Sequence, residues 1–439
     1  MVTDYDSLIR KAADACAAEA PEFDELNAYY DGDQVIRMLG IDLPPSMNGL
    51  RTAVNWPRLT TDAVAERQIV QGFRVGASED LDARMWDWWT QNNLEVESRL
   101  LHLEALVNRR GYIVVGLADD RRSPLISVES RRNIHATIDP RTRKLSRAIR
   151  LWDRDEFDQP QRATVYEPDA TSYYEYRGGA WASTGSVTHR LGRVPVVPMT
   201  NRSRIDDRDG RSEMHDIIPL ADAACRNLTL VQGAQELLAL PQTYVFGADQ
   251  SDFKDAVTGE MVGKWQAYLA RLRAVANEKG DVKQVAGADL RNFTEVLNYY
   301  GRQVAALSGL PPHFLGMSSE NPPSADAIRS SESRLVMRVR DRNLAFGGAW
   351  EEAMRLAFLW VDGSLPNGAD RIETVYASPE TPTFSAKADA VTKLVNAGIM
   401  PPQAALEELG YSQEQRDRWD RMRSNEPLSL LARNAVQGP

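Results

Sequence analysis

The spacing of apolar positions divides the chain into tracts of different period. Up to about residue 110 it is helical. In "LDARMWDWWTQNNLEVESRLLHLEALVNRRG", Leu94, Leu101, Ala105 and Leu106 share one face, and Gly111 closes the pattern. From Tyr112 to about Met199 the period falls to two. "YIVVGL", "LISVE", "ATID", "SRAIRLW", "ATVYE" and "TSYYEYRGGAW" predict short strands separated by turns. Roughly 213–362 returns to helix with one mixed interruption, and 380–439 predicts a helical tail ending in a frayed polar terminus. The expected fold class is α+β, mostly helical.

Two narrow stripes stand out in the third tract. Leu220, Ala224, Asn227, Val231, Ala234 and Leu238 form one, and Phe293, Leu297, Tyr300, Val304 and Leu307 the other. Stripes of this width pack helix on helix at a shallow angle. Between them lie a strand-like "QTYVFG", an amphipathic "GKWQAYLARLRAVA", a "NEKGD" turn and "VKQVA". The amphipathic segment predicts a small core from Trp265, Tyr268, Leu269 and Leu272.

After the second stripe comes "SGLPPHFLGMSSENPPSADAIRSS", with proline pairs at Pro311-Pro312 and Pro322-Pro323. Proline fixes φ, lacks an N–H and restricts the residue before it, so neither flanking helix runs through. The predicted loop is stiff at both ends and soft from Gly316 to Ser319. Ser324 suits an N-cap and Asp326 the first turn of the next helix. That helix runs to about Val361, roughly 55 Å at ~1.5 Å per residue. Its apolar positions are Ile328, Leu335, Val339, Phe346, Trp350, Ala353, Ala357 and Trp360. Gly347-Gly348 interrupts it, each glycine costing about 1 kcal/mol relative to alanine, so a bend is expected there. Such layouts suit copies of one chain packed side by side.

Composition narrows the picture. The 439 residues are 43% hydrophobic and 8% aromatic, which is globular and enough for several domains. No apolar run approaches the ~18–20 residues of a membrane span, and the charged N-terminus is unlike a signal peptide. Cys16 and Cys225 lack paired spacing, which predicts a reducing interior with neither a disulfide framework nor a zinc site. A net charge of −10 argues against a tight, nonspecific DNA binder.

At this point the sequence resembles the portal proteins of tailed double-stranded DNA bacteriophages, the head-to-tail connectors. "NAYYDGDQ" with "NWPRLTTDAVAERQIVQGFRV" is similar to their N-terminal signature. "VPVVPMTNRSR...GRSEMHDIIPLADAACRNLT" resembles the approach to their first stem helix. "SGLPPHFLG...PPSADAIRSSESRLVMRVRDRNLAFGGAWEEAMRLAF" resembles the second stem helix's end, the tunnel loop and the long helix, and is the most specific part. The likeness runs from about residue 24 to about 420.

The resemblance implies a dodecameric ring with wing, stem, clip and crown. Carried onto this chain, 1–212 holds N-terminal helices and the α/β wing, 213–239 the first stem helix, and 240–288 the clip. The second stem helix would be 289–308, the tunnel loop 309–323, the long bent wing helix with its following strand and loop 324–379, and the crown and tail 380–439. The tunnel loop would place Pro311, Pro312, His313, Gly316, Met317, Ser318, Ser319, Glu320, Asn321, Pro322 and Pro323 against DNA in the channel. Glu278, Lys279 and Asp281 of the clip would dock a terminase-type packaging motor and then a head-tail adaptor. Major capsid or scaffolding protein would surround the ring. The resemblance places the protein in the virion, at a capsid vertex, after assembly in the host bacterial cytoplasm, without a membrane, cofactor or enzymatic activity.

The acidic charge has two readings, a conduit that holds phosphates weakly or a dispersed soluble protein. His313 could meet phosphate or brace the proline pair. Arg329, Arg334, Arg338, Arg340 and Arg342 read as intersubunit partners for Glu332 and Asp341 in preference to a solvated face, with Leu335 and Val339 as interface positions. "GEMVGKW" (259–265) is one residue short of a P-loop between its glycines, and no Ser or Thr follows Lys264. "DDRDGRSE" (206–213) lacks the first and last calcium ligands and reads as an acidic turn before a helix. "MWDWWT" reads as a packed aromatic face in preference to a base-stacking platform. The five histidines are scattered, and neither HExxH nor a serine elbow occurs. Alternatives are a capsid-associated protein outside the channel and, more remotely, a carbohydrate- or nucleic-acid-processing enzyme.

Overall fold

Helical and strand tracts fall where the apolar period changes, in an α+β chain that is mostly helical. The computed structural model describes residues 4–35, 54–76, 81–119, 122–238, 242–246, 272–275, 282–285, 291–317, 325–380, 384–411 and 413–424. They form two units: Met1–Asp24 with Thr61–Glu213 and Ser319–Pro439, and Glu25–Thr60 with Met214–Ser318. Among the described residues, no helix is long and apolar enough to cross a membrane.

In the first unit the six strand-like segments form two antiparallel sheets. β2 (Arg110–Leu117) lies between β3 (Pro124–Ser130) and β9 (Val196–Thr200). A five-stranded meander runs in chain order through β4 (Ile134–Ile138), β5 (Leu145–Arg154), β6 (Pro160–Tyr166), β7 (Ala170–Arg177) and β8 (Ala180–Thr188). "TSYYEYRGGAW" is a hairpin of two strands. Gly178 and Gly179 both have positive φ, +59° and +85°, which a two-residue hairpin turn requires.

The meander is buried on both faces, and period two sorts its side chains between them. Ile149, Leu151, Ala163 and Val165 pack with Ile9 and Ala12 of α1 (Tyr5–Asp31). Ala148 and Tyr166 pack on the other side with Tyr112, Val114 and Val196 of the three-stranded sheet.

The first tract is not all helix. α2 (Trp56–Ala65), α3 (Ala83–Gln91) and α4 (Leu94–Val107) are helical, but "VQGFRV" is β1 (Val70–Val75), paired antiparallel with β13 (Ile372–Tyr376). Its partner lies far down the chain, so no local hairpin signal marks it. The "MWDWWT" segment packs as expected. Asp82 caps α3 by accepting from the Met85 N–H at 2.9 Å, and Met85, Trp88 and Trp89 are buried.

α7 (Ala325–Asp362) packs on β2, β3, β9 and β13. It stays helical through Gly347-Gly348, and Gly347 faces β13. A Cβ there would sit 3.4 Å from the Tyr376 ring, and the Thr374 hydroxyl donates to the Gly347 carbonyl at 3.1 Å. β13 packs against the helix backbone at this glycine, at distances where a Cβ would make ordinary contact. α8 (Phe384–Asn396), α9 (Pro402–Glu408) and α10 (Gln413–Ser424) supply the expected helical tail.

In the second unit α5 (Ile218–Leu238) packs against α6 (Arg291–Ser308). Between them in sequence, β10 (Gln242–Phe246) is the central strand of a three-stranded sheet, parallel to β11 (Leu272–Val275) and antiparallel to β12 (Val282–Val285). The strand reading of "QTYVFG" holds, and "VKQVA" supplies β12. Of the amphipathic segment, Leu272 begins β11. Trp265, Tyr268, Leu269 and the "GEMVGKW" segment lie outside the described residues.

Candidate functional site

Among the described residues, α5 buries an edge that shares only Ala224 with the stripe read in sequence. Ala221, Ala224, Cys225 and Thr229 are buried, whereas Leu220, Asn227 and Val231 are only partly so. Part of this edge is covered by the N-terminal segment: Cys225 Sγ accepts from the Val54 N–H at 3.3 Å, and Asp222 from the Tyr29 hydroxyl at 3.1 Å. On α6 the buried side is Gly301, Val304, Ala305 and Ser308. The opposite side exposes Val296, Tyr299 and Leu307, at 40%, 54% and 49%. Leu307, read as part of the packed stripe, is half-exposed on the side away from Gly301, Val304, Ala305 and Ser308. A helix with apolar residues on both faces has one face left to cover.

The end of α6 is built to stop. Gly309 takes φ +73° and donates to the Ala305 carbonyl at 3.0 Å, the left-handed cap that releases the chain. The Ser308 hydroxyl donates back to the Val304 carbonyl at 2.6 Å. Leu310 and Pro311 are buried, and Pro312–Leu315 forms one 3₁₀ turn closed by Gly316 at φ +74°. Met317 then folds back over Gly301, where an added Cβ would lie 2.9 Å from the Met317 methyl. Gly316 and Met317 are thus held in a closed turn, correcting the soft stretch expected to begin at Gly316. His313 is exposed, its ring 4.9 Å from that of Phe314. Ser318, Ser319, Glu320, Asn321, Pro322, Pro323 and the cap residue Ser324 lie outside the described residues, as do Glu278, Lys279 and Asp281 of the clip.

On α7 the structure separates residues that the sequence grouped. Leu335 and Val339 are fully buried within the subunit, so they are core and not an intersubunit surface. Arg338, Arg340 and Arg342 are also engaged within the chain. Glu213, 5% exposed, accepts from the Arg342 guanidinium at 3.1 Å, from the Asn201 amide at 2.9 Å, and from the Nε–H of Arg338. Burial pushes the Glu213 pKa up, but the charges of Arg338 and Arg342 outweigh it and hold the carboxyl below its ordinary value. Glu332 pairs with Arg67 at 3.8 Å, and Arg340 with Glu380 at 2.6 Å. The intersubunit reading is therefore corrected for Arg338, Arg340, Arg342 and Glu332. Arg334 and Asp341 stay on the exposed side, in one stripe with Met337 and Leu344, which are 55% and 79% exposed.

Sequence reasoning missed Glu213 and the Met317–Gly301 contact. Glu213 was hidden in the acidic turn "DDRDGRSE". The signal lay in Gly210 (φ +81°), where a Cβ would strike the Arg109 carbonyl at 2.3 Å. That glycine marks a close backbone approach at the end of a turn whose Asp206, Arg208 and Asp209 stay exposed, as the acidic-turn reading expects.

Fold and site together define a portal-type subunit: a helix pair, a strand module between its helices, a proline-braced turn, and one long helix returning over a sheet. The family described as "Phage portal protein, SPP1 Gp6-like" matches residues 10–426, and the chain belongs to it. It is 41% identical over 419 residues to the portal proteins of Mycobacterium phages L5 and D29, covering 92% of this chain and 86% of each relative. Among solved structures it is similar to the neck of a native gene transfer agent particle computed with C12 symmetry, at 15% identity and TM-score 0.41, covering 80% and 88% of the two chains. It is also similar to the neck of an empty particle of that kind computed with C6 symmetry, at 15% identity and TM-score 0.44, covering 82% and 94%. The family likeness extends further toward both ends than the stretch of residues 24–420 read from sequence.

Proposed function

We propose that copies of this phage portal protein close into a ring, a dodecamer by the family resemblance, whose channel carries double-stranded DNA into and out of the capsid. The observation that carries the reading is the second apolar face of α6. Val296, Tyr299 and Leu307 lie opposite the buried side of α6, and a neighbouring copy would cover them. The stripe of Arg334, Met337, Asp341 and Leu344 on α7 supplies a second contact, and there the arginine and aspartate keep the intersubunit role. Purified protein should show annular particles with a central hole by negative stain and a multi-subunit mass by mass photometry. A monomer at every concentration tested would exclude the ring.

The loop 309–323 would work as two parts. Pro311 to Met317 forms a fixed base on α6, and Ser318 to Asn321 is the part that reaches DNA, with Pro322-Pro323 restarting α7. Shortening such a segment changes closure entropy only logarithmically. Deleting Ser318 to Asn321 should therefore leave folding and rings intact while DNA packaging or retention fails. Wild-type packaging in that variant would reduce the loop to a connector. The clip, with Glu278, Lys279 and Asp281, would receive the terminase-type motor and later the head-tail adaptor. Reversing those three charges should spare ring assembly and weaken docking of the motor. We place the ring at a capsid vertex, surrounded by major capsid or scaffolding protein, after assembly in the host bacterial cytoplasm. It has no catalytic role of its own, and the packaging energy comes from the motor.

A further inference from the structure

A groove in the first unit is lined by the N-terminal half of α7 and by the tail helices. Val336 and Met337 come from α7, Ala390, Val391 and Leu394 from α8, and Met400 from the turn before α9. Its volume is about 630 Å³, within the ~300–1,000 Å³ of pockets that bury drug-sized ligands. Met337 forms the edge that the groove shares with the outward stripe of α7.

The charged residues of the lining answer one another. Arg340 pairs with Glu380 at 2.6 Å, and Lys387 with Glu408 at 3.7 Å. Glu332, which is buried, pairs with Arg67 at 3.8 Å. Paired ions offer little to a charged solute. Apolar walls between them suit the apolar face of a helix, read at positions i, i+3, i+4 and i+7.

α10 brings the chain beside this groove. Arg416 pairs with Glu407 of α9 at 3.2 Å, and the rings of Tyr411 and Trp419 meet edge to face at 4.6 Å. Glu408, the residue after Glu407, lines the groove. α10 ends at Ser424, about 12 Å along its axis from Arg416 at ~1.5 Å per residue. The extended chain from there to Leu428 spans about 13 Å, enough to return that distance.

Residues 425–439 lie outside the described residues, but their sequence, "NEPLSLLARNAVQGP", has a pattern that fits the groove. Pro427 disfavours the α region at Glu426 and suits a first helical position, and Gly438 suits a stop. Between them Leu428, Leu431, Ala432, Ala435 and Val436 follow the steps i, i+3, i+4, i+7 and i+8, which is one apolar face. Such a helix is shorter than the ~12–15 residues that are already marginal alone in water, so it needs a surface to form on. We propose that this tail folds back as a short helix and lays that face in the groove of its own subunit.

The test uses full-length protein and a fluorescein-labelled peptide of residues 425–439. In the variant Leu428→Asp with Leu431→Asp the tail should leave the groove, and fluorescence polarisation should show saturable peptide binding. Wild type should bind the peptide at least tenfold more weakly, because its own tail competes at the roughly millimolar effective concentration of a short linker. Ala390→Arg, at an exposed position in the groove, should weaken binding to the tail variant at least tenfold with an unchanged circular dichroism spectrum. Wild type should stay closed to the peptide when diluted to single subunits, as checked by mass photometry. The proposal is overturned if the tail variant does not bind the peptide, if wild type binds it equally well, or if Ala390→Arg leaves binding unchanged. It is also overturned if wild type takes up peptide on dilution, since the tail in the groove is then a second copy's.

Discussion

His102 gives the sharpest test of the packing on α7. It is fully buried on α4 and accepts from the indole N–H of Trp350 at 2.9 Å. Its ring also lies 5.4 Å from that of Phe346. Burial drives its pKa down to about 3. Between that value and the ~6.5 of an exposed histidine, the unfolded chain binds a proton that the folded chain does not, so stability falls as pH drops. At pH 5 the unfolded form is about 1.5 units below its pKa, which amounts to a loss of about 2 kcal/mol relative to pH 7. The depth of the shift hardly matters, since any folded value under about 4 gives the same loss at pH 5. Other groups titrate nearby: His135 and His189 are also lowered by burial, and Glu129 and Glu351 are raised by it. The measurement must therefore be a difference. His102→Gln keeps an acceptor for the Trp350 indole and cannot be protonated. Urea unfolding followed by tryptophan fluorescence at pH 7 and pH 5 should show wild type losing about 2 kcal/mol more than the variant, whatever the variant's baseline stability. Equal losses in the two proteins would refute the buried, neutral histidine.

The remaining predictions separate core from contact. Leu335→Asp with Val339→Asp should give insoluble or unfolded chains, because buried unpaired charges cost several kcal/mol each; Val296→Asp with Leu307→Asp should give folded subunits that do not form rings, read by circular dichroism and mass photometry. Glu213→Gln leaves two guanidinium groups short of their counter-charge and should cost roughly 3 kcal/mol, measured by urea unfolding at pH 7. In wild type that contribution is present above the ordinary carboxylate range and lost as pH falls through the lowered pKa, so the two proteins should converge in acid. Gly301→Ala should displace the Met317 methyl and raise the rate of proteolytic nicking within 309–323, and Met317→Ala on top of it should restore the wild-type rate.

Much of the fold was legible because period is a local property. The meander, the three-stranded sheet, α6 and α7 each announce themselves within a window of ten to twenty residues. β1 did not, because its hydrogen bonds go to β13, and pairing at that sequence distance leaves no mark on either segment alone. Leu272 shows a related limit: "LARLRAV" is amphipathic in sequence, and only β10 beside it makes its last residues a strand. Gly347 shows the limit of propensity arguments. The cost of a glycine in a helix is visible in sequence, but the strand packed against the backbone there is a tertiary fact.

The site was harder, and α7 shows why. A stripe with helical period shows that a face is covered and not which chain covers it. Leu335 and Val339 fit an intersubunit seam and a subunit core equally well in sequence, and the structure assigns them to the core. The arginines divide by the same rule. Arg338 and Arg342 lie on the side that turns toward Glu213, while Arg334 and Asp341 share the outward stripe with Met337 and Leu344. A helix that must serve one subunit and also meet the next has two functional faces, and its charged residues fall on both. The outer face cannot be found by asking which residues are apolar, since the core takes most of those. It is found by asking which apolar residues the subunit leaves uncovered: Met337 and Leu344 on α7, and Val296, Tyr299 and Leu307 on α6.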